Sequence, residues 1–146
     1  MEELFVSTSA EETQGIAQRL VLEMEEGTTL CLYGELAAGK TTFAQGIAQA
    51  LGINRLTSPT FIIMREYPVE NHPTIKRLYH LDLYRIDHPE EIKSFDLEEI
   101  TGDRSNLVLI EWPERIKDIL PSKRQDIYFK ETDDNEREIT IKKINQ

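Results

Sequence analysis

Little in this chain can be cross-linked. It has one cysteine in 146 residues, so no internal disulfide can form. Cys31 stands inside an apolar run and reads as a small core residue. No His/Cys cluster has the spacing of a zinc site. Long apolar runs are missing too, and every uninterrupted stretch falls far below the ~18 residues of a membrane span. The segment Met1-Glu2-Glu3-Leu4-Phe5 is acidic and too poor in apolar residues for a signal peptide. A cytoplasmic address without a membrane partner is therefore expected. Basic residues are scarce, with 17 Lys and Arg against 27 Asp and Glu, a formal net charge of −10. That balance disfavours holding a nucleic-acid backbone, which needs clustered Lys and Arg. Most of the acids read as solvated faces, which leaves room for a basic patch on a protein partner. With no repeat, low-complexity tract or linker, the chain reads as one domain over 1–146.

What is present is a ligand signature. Thr28-Thr29-Leu30-Cys31-Leu32-Tyr33 is a strand-like run that leads into Gly34-Glu35-Leu36-Ala37-Ala38-Gly39-Lys40-Thr41-Thr42. The second segment carries G-x-x-x-x-G-K-T, the phosphate-binding P-loop. A turn of this kind leaves backbone N–H groups free to wrap phosphate oxygens, and the helix it opens presents the positive end of its dipole. Lys40 would reach the outer phosphates, and the Thr41 hydroxyl would take a position on Mg²⁺. By composition alone the pattern arises in about one chain of this length in 200. Its context makes it more specific, because Phe43, Ile47 and Leu51 follow at helical spacing with Ala44 and Ala48 beside them.

Along the rest of the chain, Leu4 to Ser7 reads as a first strand. Ser9-Ala10-Glu11-Glu12 is a capping box ahead of an amphipathic helix that ends before Gly27. Phe61 to Tyr67 and Thr74 to Tyr84 read as strands joined by a turn around 68–73. Pro89 to Phe95 reads as a short helix and Leu107 to Ile110 as a buried strand. Pro113 is placed to open a helix that stops at Pro121. Ile127 to Glu131 and Glu138 to Ile144 alternate as a closing hairpin around Asp133-Asp134-Asn135. The expected fold is α/β: a P-loop NTPase core whose central mixed β-sheet is flanked by helices and carries antiparallel strands at its margins.

A Mg²⁺–nucleotide site needs acids at the carboxyl ends of strands. Asp82 is one candidate, sharing a face with His80 and Tyr84 by the period of two. Glu111, after four apolar residues, is the other. Ser58-Pro59-Thr60 follows the P-loop helix and can bring a hydroxyl to the metal or the terminal phosphate, as switch loops do. Trp112, the only tryptophan, follows Glu111.

Taken together, the chain resembles the TsaE (YjeE) family of bacterial P-loop ATPases. The resemblance rests on the P-loop segment and three further segments in order: Ser58-Pro59-Thr60-Phe61, His80-Leu81-Asp82-Leu83-Tyr84-Arg85 and Ile110-Glu111-Trp112-Pro113-Glu114-Arg115. One departure shows. The family loop usually has glycine where Ala37 stands, so backbone freedom there is reduced while both anchoring glycines remain. The resemblance implies ATP and Mg²⁺ as ligands and TsaB and TsaD as protein partners, with no direct tRNA binding. Hydrolysis would support the transferase that makes threonylcarbamoyladenosine on tRNA. In the expected site Gly34, Glu35, Leu36, Ala37, Ala38 and Gly39 cradle the phosphates. Lys40, Thr41 and Thr42 hold phosphates and metal. Thr60, Asp82 and Glu111 complete the metal and water positions, with Lys40, Asp82 and Glu111 catalytic and Trp112 beside the nucleotide. A small-molecule P-loop kinase is the alternative. The scattered Arg55, Arg65, Arg77 and Arg85 and the absence of a spare lid insertion weigh against it. A GTP switch lacks its Asn-Lys-x-Asp signature, and a module in which nucleotide only organises the fold would not need Glu111.

Overall fold

The computed structural model describes residues 1–35, 38–56, 63–132 and 135–145. Seven strands form one sheet: β1 (Glu2–Ser7), β2 (Thr29–Tyr33), β3 (Met64–Pro68), β4 (Arg77–Asp82), β5 (Asn106–Glu111), β6 (Arg124–Glu131) and β7 (Arg137–Ile144). Their order across the sheet is β1-β7-β6-β2-β5-β4-β3. The four central strands β6, β2, β5 and β4 run parallel to one another. The margins, β1 with β7, β7 with β6, and β3 with β4, are antiparallel. This is the mixed sheet expected from strand–helix alternation around the P-loop and hairpins on either side.

Alternate residues of the central strands separate onto two faces. Leu30, Leu32, Leu107, Leu109 and Ile127 join a core with Ala17 and Val21 of helix α1 (Ala10–Leu22) and Phe43 and Ile47 of helix α2 (Lys40–Ala50). Cys31, Val108 and Ile110 face the other way, onto Leu83, Ile92, Leu97 and Ile116. Burial on both faces is why these strands read as unbroken apolar runs. Burial also pushes the Cys31 thiol up to about 12, as for an inert core cysteine.

Local signals set the element ends. The Ser9 hydroxyl accepts from the Glu12 amide at 3.1 Å, while the Glu12 carboxylate accepts from the Thr8 amide at 3.2 Å rather than from Ser9. α2 ends at Ala50, and Gly52, just past the Leu51 cap, turns the chain away with a φ of 75° in the left-handed region. β4 is shorter than the run Thr74 to Tyr84 suggests. The Asp82 carboxylate accepts from the Tyr84 amide at 3.1 Å, an Asx turn that ends the strand. His80 and Asp82 therefore share a face, but Tyr84 has left the sheet. Pro89–Phe95 and Pro113–Ile119 wind as 3-10 segments. A further helix, α3 (Leu97–Gly102), was not expected, because six residues hold too little periodicity to register.

Candidate functional site

The central parallel strands end together at one edge of the sheet, and the described residues of the expected site stand there. β2 stops at Tyr33 and the chain turns through Gly34 (φ 146°) to Gly39 (φ 105°), which caps α2. A Cβ at Gly34 would lie 2.8 Å from the Phe129 carbonyl oxygen, and one at Gly39 would lie 2.9 Å from Arg137 Cδ. Gly34 is therefore demanded by backbone angle and by space, and Gly39 by its backbone angle. The N-cap of α2 is Gly39, which has no side chain to bond the first-turn N–H groups, so among the described residues these remain available to an anion. Within the loop Ala38 is buried and Glu35 exposed; on the first turn Thr41 is exposed and Thr42 half-buried. Leu36, Ala37, Ser58, Pro59 and Thr60 lie outside the described residues.

Lys40 opens α2 and is only 3% exposed. Its Nζ lies 4.3 Å from the centroid of the Trp112 ring, a cation–π contact. Trp112 reaches that position because the chain turns into the left-handed region immediately after β5, with φ 61°. Its ring also meets Tyr84, with centroids 5.0 Å apart.

Asp82 and Glu111 are register partners at the ends of β4 and β5. Glu111 also pairs with Leu32, which lies in the core under α1 and α2, so the two acids face the helix that carries Lys40. Asp82 is half-buried, and its carboxyl is held above its ordinary range. Burial is the main cause and the nearby Glu111 charge adds to it, against the Tyr84 amide, His80 and Lys40. Two carboxylates so placed are stabilised by a cation between or beside them. Glu111 is almost wholly buried, and its Oε2 lies 2.7 Å from His80 Nε2. The other ring nitrogen, Nδ1, is buried with no partner among the described residues.

Lys40, Thr41, Thr42, Asp82, Glu111 and Trp112 thus stand at one edge of the sheet. A glycine cradle, an uncapped helix start, a buried ammonium and paired oxygen donors suit a phosphate-bearing ligand with a hard cation. Sequence reasoning missed two residues. His80 stands in the sequence as a face-sharer of Asp82 and as part of a family segment without a role of its own; its bond to Glu111 depends on β4 and β5 being neighbours. Arg137, against Gly39, carried no sequence signal, because sheet order alone brings β7 to the loop. A larger groove of about 830 Å³, lined in part by Thr28, Leu97 and Lys123, lies at the opposite, amino ends of β2 and β6.

Fold and site together define an α/β protein with a P-loop sequence set between its central parallel strand and a helix N-terminus. Residues 7–139 match the family described as Threonylcarbamoyl adenosine biosynthesis protein TsaE, and the chain belongs to that family. It is 39% identical over 136 residues to the tRNA threonylcarbamoyladenosine biosynthesis protein TsaE of Bacillus subtilis (strain 168), covering 92% of this chain and 82% of that protein. The protein of the same name from Treponema pallidum (strain Nichols) is 36% identical over 137 residues, covering 93% and 97%. A crystal structure of Bacillus subtilis YdiB aligns with a TM-score of 0.81 at 33% identity, over 99% of this chain and 87% of that one.

Proposed function

We propose that this chain binds and hydrolyses Mg-ATP in support of the TsaB–TsaD transferase, in the formation of threonylcarbamoyladenosine on tRNA. The observation that carries the reading is the meeting of Lys40, Asp82 and Glu111 at the start of α2, on the face of the sheet that α1 and α2 cover. The family's name supports the pathway, and the low content of Lys and Arg agrees with a protein partner rather than a direct hold on tRNA.

In this reading the backbone from Gly34 to Gly39 binds phosphate oxygens and Lys40 neutralises the outer ones. Thr41 supplies a hydroxyl to the metal and Thr42 lies toward the inner phosphate. Asp82 accepts the metal's charge, directly or through its bound water, and Thr60 is the proposed further hydroxyl. Glu111, held by His80, orients the attacking water, while Trp112 walls the site. The bound nucleotide supplies the phosphoryl group and its Mg²⁺ the neutralising charge. What the chain adds is position and electrostatic stabilisation.

Two variants separate the roles. Lys40→Ala removes a charge-assisted contact worth roughly 1.5–3 kcal/mol, about tenfold or more in affinity. Glu111→Ala keeps nucleotide binding and loses phosphate release. Calorimetry showing unchanged ATP–Mg²⁺ affinity in Lys40→Ala, or a wild-type hydrolysis rate in Glu111→Ala, would overturn the reading.

A further inference from the structure

Beside the loop, on the β6 side of β2, lies a cavity of about 290 Å³ lined by Gly34, Glu35, Ala38, Phe129, Lys130 and Glu131. Arg137 opens β7 at the same end, as the register partner of Glu131. It shares a strand face with Ile139 and Ile141, which lie in the core under α1 and α2. Its side chain runs to the loop, where Cδ and Nε would stand 2.9 and 3.2 Å from a Cβ on Gly39. The Nε is buried and has no hydrogen-bond partner among the described residues.

Three positive features thus converge: Arg137, Lys40 and the first turn of α2, whose glycine N-cap brings no capping side chain. A cation at a helix N-terminus opposes the helix dipole, and a buried guanidinium N–H without an acceptor loses its hydration for nothing. An anion seated at that turn removes both penalties. We infer that Arg137 is a nucleotide-binding residue that donates to the inner phosphates from the side of the β6–β7 hairpin. The inference rests on the nucleotide reading above. The choice of inner phosphates follows from sheet order. Glu111, which marks the terminal phosphate, stands on β5 to one side of β2, while Arg137 approaches from the β6 side. A contact shared by ADP and ATP is uniform binding, so its loss appears in affinity and KM.

The test is calorimetry of the full chain with ADP and with ATP in Mg²⁺, alongside thermal melts without nucleotide, for wild type, Arg137→Gln and Arg137→Lys. Arg137→Gln is expected to weaken ADP and ATP by the same factor, about tenfold, and Arg137→Lys to recover part of it. The ligand-free melting temperature is expected to hold or rise, since among the described residues the buried Nε has no hydrogen-bond partner to lose. Unchanged ADP affinity overturns the inference while leaving the nucleotide reading intact. A fall for ATP alone overturns it by placing the contact on the terminal phosphate. A lower ligand-free melting temperature overturns it by making Arg137 a structural hairpin residue. A wild-type chain that binds neither nucleotide overturns both.

Discussion

Trp112 shows what a single residue costs and contributes here. A bulky side chain in the left-handed region is strained by roughly 1–3 kcal/mol. The strain brings the ring across Lys40 at 4.3 Å, and the neighbouring Pro113 then starts the 3-10 segment with its φ already set. Backbone strain at this point falls where the proposed chemistry is. Because Trp112 is the only tryptophan and lies against the ammonium that would hold phosphate, its fluorescence should change when ADP or ATP is added. A signal flat through saturation, with binding confirmed by calorimetry, would separate the ring from the nucleotide.

At the scale of elements, the site depends on how closely α2 is held. α1 lies against α2 across Gly46, where a Cβ would meet the Gln14 carbonyl oxygen at 2.7 Å and the Ala17 methyl at 2.8 Å. Glycine is used there for close approach, since its φ is that of an ordinary helix. Gly46→Val should force the helices apart and destabilise the fold by about 1–3 kcal/mol, lowering the melting temperature by several degrees, on the order of 2–8 °C per kcal/mol. A thermal melt reads this directly, and a melting temperature equal to wild type would show that α1 moves away freely. The same logic governs the acids: β4 ends where Asp82 bonds to the Tyr84 amide, so the carboxylate that terminates the strand is also the one presented at the sheet edge.

For the whole molecule, the charge balance and the position of the site decide what it can meet. A net charge of −10 disfavours a nucleic-acid surface and favours a partner with a basic face. Among the described residues no helix is long and apolar enough to cross a membrane. Hydrolysis by the isolated chain is expected to be slow and to rise when TsaB and TsaD are added, since P-loop enzymes commonly gain rate from groups a partner supplies or orders. Part of that association should be electrostatic, so stimulation at subsaturating partner should weaken as salt shortens the Debye length. A phosphate-release assay with purified partners across a salt series checks this. Full activity alone and no response to the partners would favour the kinase alternative.

By itself the sequence determined what depends on neighbours along the chain. The two glycines, Lys40 and the helix that follows them are one continuous segment whose backbone angles and spacing are local properties. The apolar runs of β2 and β5 likewise declare strands buried on both faces, and from these the parallel centre follows. The alternation of β6 and β7 and the turn residues between β3 and β4 marked the antiparallel margins. Only the tertiary structure decided which strands are neighbours. Placing β4 beside β5 sets His80 on Glu111 and Asp82 opposite it; placing β7 beyond β6 delivers Arg137 to Gly39. Neither contact has a sequence spacing that encodes it, because sheet order results from burying the central strands between their flanking elements and pairing the rest at the margins. The prolines at 89 and 113 marked the starts of two short helical segments, but not that they wind as 3-10 turns; α3 was illegible because six residues carry too few turns for a periodic signal, and it packs with them on the sheet face that carries Cys31, Val108 and Ile110.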